Sequence, residues 1–129
     1  MESPPDKPIV YACSGCSDAG ELSDRIARQL AREGVAEMSC LAGIGGRVRH
    51  LVAIAENAGR VLVIDGCPIH CARRTLELAG VQRVEHLGLQ TLGLRKGSCP
   101  VTEESIARGV HAARQRLADS KPDSSPTPG

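Results

Sequence analysis

Hydrophobic positions along the chain follow two alternating patterns. Short runs rich in Val, Ile and Leu predict β-strands, and longer stretches with apolar residues three or four apart predict amphipathic helices. The run at residues 60–64 is apolar without alternation, which is typical of a strand covered on both faces. The predicted strands are residues 9–12, 35–39, 60–64 and 84–87, each followed by a helical stretch.

The helical stretches carry recognisable start and stop signals. Asp18 and Glu21 form a capping pattern before the first one, and Thr102 is placed to cap the last. Glycine ends helices readily because it accepts a left-handed backbone. The other predicted starts are the residue after the turn Gly43-Ile-Gly-Gly46 and the turn containing Pro68; the predicted stops are Gly34, Gly59 and Gly80.

Alternation of strand and helix with short connections predicts the fold class. It is α/β: a single small domain with a four-stranded parallel sheet, right-handed crossovers and helices on both faces. We expect the flavodoxin-like strand order 2-1-3-4. A length of 129 residues suits one such domain. Its predicted extent is residues 8–118, with a flexible N-terminus at 1–7 and a disordered Pro/Ser-rich tail at 119–129.

Composition narrows the function classes. The 16 basic and 15 acidic residues leave a net charge of +1, which argues against a nucleic-acid partner because phosphate contacts need a basic surplus. With one Tyr and no Phe or Trp, the chain also lacks aromatic platforms for base stacking. We therefore expect no nucleic-acid partner. The cysteines make a metal ion the expected partner, and the sequence identifies no protein partner.

The cellular compartment is inferred from what precedes the first strand. Residues 1–8 lack a basic segment followed by an apolar one, so no secretory signal is visible. The longest run of large apolar residues, 61–64, is too short for a membrane span, and no membrane partner is expected. A cytoplasmic protein keeps its thiols reduced. Its six cysteines are therefore expected to be metal ligands or redox groups rather than disulfides.

All six cysteines follow predicted strands. The carboxyl ends of parallel strands share one edge of the sheet, and ligands bind there at the crevice where the strand order reverses. We therefore expect several thiols, distant in sequence, to form one cluster. Cys13 and Cys16 follow the first strand, Cys40 the second, Cys67 and Cys71 the third, and Cys99 lies beyond the fourth.

The spacing of the paired cysteines favours a zinc site. Zn²⁺ is satisfied by four thiolates, or by three thiolates and an imidazole. Cys13-Ser-Gly-Cys16 allows one turn to offer two sulfurs, and Cys67-Pro-Ile-His-Cys71 is expected to present both sulfurs from one helical turn. His70 lies between the two cysteines and is a candidate ligand. It is only a secondary one, because helical geometry predicts that its side chain faces solvent.

Other chemistries stay open for the same residues. Cys13 could be the nucleophile of a thiol redox or thiol-transfer enzyme, with Cys16 resolving the intermediate. Four cysteines also suit an iron–sulfur cluster. The spacing from Cys67 to Arg73 matches the C-x5-R loop of cysteine phosphatases, although the loop holds no glycine. Asp65 could bind backbone N–H groups, act as an acid or base, or only end its strand.

Three motifs together resemble a known family. Cys13-Ser-Gly, Glu37-Met-Ser-Cys40-Leu-Ala-Gly-Ile-Gly-Gly46 and Asp65-Gly-Cys67-Pro-Ile-His-Cys71 stand in the order found in the bacterial DGC-domain proteins, named for a central Asp-Gly-Cys.

The resemblance covers about residues 9–100 and implies a site rather than an activity. It implies a zinc site whose ligands are Cys13, Cys40, Cys67 and Cys71, with Cys16 and Cys99 as secondary candidates. Four protein ligands close a zinc site. A structural, sensory or metal-handling role is then expected before Lewis-acid catalysis, which needs an open position.

Overall fold

The fold was obtained as a computed structural model, and it describes residues 7–119. The elements alternate as the apolar pattern predicts. Four strands are present, β1 (Ile9–Ala12), β2 (Glu37–Met38), β3 (Val61–Asp65) and β4 (Glu85–Gly88). The helices are α1 (Asp18–Arg32), α2 (Leu41–Gly45), α3 (Arg49–Asn57), α4 (Cys71–Leu78) and α5 (Glu103–Asp119), with a 3₁₀ turn at Leu89–Leu92.

The sheet confirms the predicted architecture. Its order is β2-β1-β3-β4 and every neighbouring pair is parallel. β1 and β3 are central and aligned so that Ala12 lies opposite Ile64. The pairing continues past the strand, because the backbone N–H of Cys13 donates to the carbonyl of Ile64 at 3.0 Å. The segments that follow β1 and β3 therefore begin side by side at the carboxyl edge of the sheet.

Two apolar layers cover the sheet. Side chains alternate along each strand, so even-numbered residues of β1 and β3 face α1 and α5, and odd-numbered ones face α2, α3 and α4. The first layer includes Val10, Leu22, Ile26, Leu62, Ile64 and Val110; the second includes Tyr11, Ile44, Val63, Ala72 and Leu76. Asp65 and Cys13 continue the odd-numbered positions and so lie on the second face.

Two local predictions were wrong. The glycine-rich turn is itself helical, because α2 spans Leu41–Gly45 with Cys40 as its N-cap. The helix after β3 begins at Cys71 rather than near Pro68. His70, the residue before α4, has a left-handed backbone with φ 61°. Cys67 and Cys71 therefore lie on either side of a turn and not within one helical turn.

The predicted terminal segments fall almost entirely outside the described residues. The flexible N-terminus at 1–7 and the tail at 119–129 remain predictions for that reason. Across residues 7–119, no helix combines the length and apolar character needed to cross a membrane.

Candidate metal centre

Three cysteines lie at the carboxyl edge of β1 and β3. Cys13 follows β1, and its carbonyl accepts a hydrogen bond from the buried hydroxyl of Ser23 on α1. Cys67 follows β3 after one glycine, and Cys71 begins α4. Burial raises the pKa of the Cys13 thiol, and negative charge at Asp65, Cys71 and Cys67 raises it further. A hydrogen bond with the backbone of Gly15 has the opposite effect and lowers the pKa. These acidic groups therefore share one neighbourhood.

Asp65 organises the loop that carries two of these thiols. Its side chain is only 1% exposed. One carboxylate oxygen accepts the backbone N–H of Ala72 at 2.9 Å, and the other accepts that of Arg73 at 3.2 Å. Burial alone would raise the pKa of Asp65, but hydrogen bonds from His86, Ala72 and Arg73 outweigh it and lower the pKa. The carboxylate thus pairs with N–H groups in the first turn of α4 that have no partner within the helix.

Two histidines complete this neighbourhood. Nε2 of His86 lies 2.9 Å from Asp65, and the His86 side chain is 15% exposed. The ring of His70 packs against that of His86 with centroids 4.5 Å apart and planes at 64°. Nε2 of His70 is buried and finds no hydrogen-bond partner among residues 7–119. The prediction that His70 faces solvent is therefore wrong, because its left-handed backbone turns the side chain inward.

Cys40 lies in a different setting. Its sulfur accepts the backbone N–H of Gly43 at 3.3 Å and so caps α2. Its charge acts on Tyr11, whose pKa is raised by burial, lowered by Ser39 and raised by Cys40. Cys40 also lines an open groove of about 480 Å³ beyond β2, together with Ser14, Asp24, Arg28, Met38 and Thr75.

The two remaining cysteines, Cys16 and Cys99, differ in their exposure. Cys16 is exposed in the loop between β1 and α1. Cys99 is 1% exposed and packs in the apolar layer under α1 and α5, on the opposite face from Cys13. Its pKa is raised by burial and by the charge of Asp18. Cys99 therefore acts as a core residue in this fold.

Comparison with known proteins identifies the family. The family model of the DGC domain matches residues 9–113. The chain belongs to the DGC-domain family. It is 46% identical over 119 residues to the anaerobic and virulence modulator AnvM of Pseudomonas aeruginosa, with 91% of each chain covered. No solved structure matches the chain.

The central motif of the DGC domain has a physical reason at each position. Asp65 caps α4, as described above. Gly66 is required by close packing, because a Cβ there would lie 2.5 Å from the carbonyl oxygen of Ala19. Cys67 then projects its thiol from the turn that the backbone N–H of His70 closes on the Cys67 carbonyl at 3.2 Å. The motif thus draws the start of α1 and the loop before α4 together.

The phosphatase-like alternative has no support from the position of Arg73. Its guanidinium Nε donates to Glu77, one turn further along α4, at 3.1 Å. An arginine of a C-x5-R loop must instead reach an oxyanion held above the cysteine. The side chain of Arg73 is therefore engaged along the helix rather than over Cys67.

The donor chemistry of this edge suits zinc, although the donors are not yet in coordinating positions. Thiolate and imidazole are the ligands that Zn²⁺ prefers. Among the described residues, no group of three His, Cys, Asp or Glu side chains is placed to hold a metal ion. The four-cysteine ligand set stays a prediction.

Sequence reasoning missed the part played by His86. A signal was present in the register, since β4 follows β3 in a parallel sheet and odd positions of β3 share a face with His86. A carboxylate ending one strand beside a histidine on the next was the detectable pattern.

Proposed function

We propose that this DGC-domain protein binds zinc through the thiolates of Cys13, Cys67 and Cys71. The observation that carries the proposal is the gathering of three thiols and the buried carboxylate of Asp65 at one edge of the sheet. Burial and the nearby Asp65 carboxylate disfavour the thiolate of Cys13, and a divalent cation bound at this edge would stabilise that thiolate instead. When bound, zinc would fix these loops as a structural centre.

A fourth protein ligand would complete the tetrahedron, and the family resemblance implies Cys40 for that position. With four protein ligands, the centre serves a structural, sensory or metal-handling role rather than catalysis. The relative AnvM is named a modulator, and a closed metal centre suits a modulator better than an enzyme. A cytoplasmic location would keep the thiols reduced and is part of this proposal.

The thiol redox alternative receives less support. A nucleophilic cysteine needs a lowered pKa, because the thiolate is the reacting form. Burial and neighbouring negative charge instead raise the pKa of the Cys13 thiol. An iron–sulfur centre would use the same cysteines, and visible absorbance of anaerobically purified protein distinguishes it from zinc.

Elemental analysis of the chain purified anaerobically, without chelator, tests the proposal. We expect about one zinc per chain, and each of Cys13→Ser, Cys67→Ser and Cys71→Ser should weaken zinc binding at least ~10-fold in competition with a chromophoric chelator. Cys16→Ser is the matched control, because it removes an exposed thiol from the same loop as Cys13. Substoichiometric zinc, below about half an equivalent, with every thiol open to titration would contradict the proposal.

A further inference from the structure

An open groove of about 480 Å³ lies where β1 and β2 end, between α1 on one side and α2 on the other. Its volume is within the range of small-molecule sites, and parallel α/β sheets bind ligands outside the carboxyl ends of their strands. The three proposed zinc ligands are not among its lining residues, so its chemistry does not depend on zinc. We call it the Cys40 groove, and its polar lining residues are Ser14, Asp24, Arg28, Ser39, Cys40 and Thr75.

One wall of the Cys40 groove carries two opposite charges side by side. One carboxylate oxygen of Asp24 accepts Nε of Arg28 at 2.7 Å, and the other accepts the hydroxyl of Ser14 at 3.0 Å. The Asp24 side chain is 20% exposed and that of Arg28 is 58% exposed, so the guanidinium can be reached from solvent. Such a pair suits a zwitterion, because its ammonium group is attracted to the carboxylate and its own carboxylate to the guanidinium.

The thiol of Cys40 lines the same groove from the side of α2. Its sulfur is exposed and accepts the backbone N–H of Gly43 at 3.3 Å, which holds it in place. An accessible thiol is the kind that reacts reversibly with small disulfides. The groove therefore brings a reactive group and a charged recognition pair to one small-molecule site.

A buried polar atom without a partner lies against this groove. The hydroxyl of Tyr11 is buried and, within residues 7–119, forms no hydrogen bond. Ser39 and Cys40 both act on the pKa of Tyr11, so the hydroxyl lies beside two residues that line the groove. A polar atom in that position has lost its hydration and gained nothing in return. It is an indication, separate from the thiol, that the groove accommodates a polar occupant.

We propose that Cys40 is a modification site, where a zwitterionic disulfide of the amino-acid type binds in the groove and forms a mixed disulfide. Cys40 releases its proton to solvent, and its thiolate attacks one sulfur of the bound disulfide. A bond forms between these two sulfurs while the S–S bond of the reagent breaks. The released half leaves as a thiolate and takes up a proton. Cys40 is thereby oxidised and the released half is reduced, so no other oxidant is needed.

Cystine tests the proposal directly, because it carries an ammonium and a carboxylate group beside each sulfur. Hydroxyethyl disulfide is the uncharged comparison. The reduced chain is incubated with each reagent, and peptide mass spectrometry gives the rates of modification at Cys40 and at Cys16, which is also exposed but does not line the groove. We expect the ratio of the Cys40 rate to the Cys16 rate to be about tenfold higher with cystine, as one charge-assisted hydrogen bond implies. Equal ratios for the two reagents would overturn the proposal.

Substitutions on α1 test the recognition pair. Arg28→Gln should abolish the preference for cystine and leave the ratio with hydroxyethyl disulfide unchanged. Arg25→Gln is the matched control, because Arg25 is exposed on the same helix, pairs with Glu21 and does not line the groove. Circular dichroism establishes that both variants keep the fold. A wild-type preference for cystine in Arg28→Gln, or an equal change with both reagents, would contradict the proposal. Because the measured ratios do not involve the proposed zinc ligands, failure of zinc binding would leave this proposal standing.

Discussion

Asp18 is the residue that ties the loop after the 3₁₀ turn to the start of α1. Its carboxylate accepts the backbone N–H groups of Ala19 and Gly97 through one oxygen and that of Cys99 through the other. The hydrogen bonds from Gly97, Cys99 and Ala19 lower the pKa of Asp18. The loop that buries Cys99 is thus held by a single ionised side chain.

This arrangement predicts a pH-dependent effect of Asp18→Asn. A carboxyl group with a lowered pKa in the folded state stabilises the fold above its unfolded pKa, and that contribution disappears as the pH falls through the folded value. The variant should therefore have a lower Tm than wild type at pH 7, and the difference should shrink by about pH 3. Thermal unfolding followed by circular dichroism at both pH values measures it. A Tm difference that stays constant with pH would contradict this account.

Residue identity alone predicted the cysteine positions better than the histidine ones. Cys13, Cys40 and Cys67 follow strands, and the carboxyl edge of a parallel sheet collects whatever follows its strands. The direction of His70 depends on a left-handed backbone at a non-glycine residue, for which the sequence offers no signal. The hydrogen bonds from the start of α4 to Asp65 could not be predicted either. They depend on where α4 begins, and the position of Pro68 predicted a different start for that helix.

At the scale of elements, the packing of α1 against the loop after β3 controls how closely the proposed ligands approach. Gly66 touches the backbone of Ala19 on α1, and Gly20 on the same helix approaches Gly15 equally closely. Because Gly66 and Gly20 have no side chains, α1 packs directly against the backbone of the loops that carry Cys13 and Cys67, and these loops lie close together. Substituting either glycine must push α1 away from the sheet edge.

Gly66→Ala is therefore predicted to damage both stability and zinc binding. The added methyl group would lie 2.5 Å from the Ala19 carbonyl oxygen, and relieving such a clash costs about 1–3 kcal/mol of unfolding free energy. Urea unfolding and chelator competition measure the two effects. Gly45→Ala is the matched control, since its Cβ would meet Thr75 at an ordinary 3.7 Å. Equal behaviour of the two variants would show that the close approach is unimportant.

Element order was easier to predict from sequence than element ends. Uninterrupted apolar runs identify β3 and its neighbours, and alternation of strand and helix leaves few parallel topologies, so the order 2-1-3-4 was correct. Boundaries depend on local hydrogen bonds that sequence patterns do not specify. α2 forms because the Cys40 sulfur caps it, and α4 starts late because Asp65 binds the N–H groups of Ala72 and Arg73.

For the molecule as a whole, the fold presents a scaffold whose carboxyl edge carries the proposed metal ligands. Both faces of the sheet are covered by apolar layers, and Arg60 joins β3, β4 and the end of α5 through paired hydrogen bonds to Glu85 and one to Leu117. At the carboxyl edge, Cys13 follows β1, Cys67 follows β3 and Cys71 begins α4, so a metal ion bound by all three would link three elements of this scaffold. Metal binding at that edge should therefore be coupled to the stability of the entire domain.

Zinc is accordingly expected to raise the thermal stability of the wild-type chain. A ligand that binds only the folded state adds about 2.7 kcal/mol when its free concentration is 100 times its dissociation constant. For a domain of this size that corresponds to a Tm increase of about 10 °C. Cys67→Ser should lose most of the increase, whereas Cys16→Ser should retain it, because only the first removes a proposed ligand. Differential scanning calorimetry with and without zinc measures the shift. If Cys67→Ser gained as much stability as wild type, zinc would be acting away from this edge.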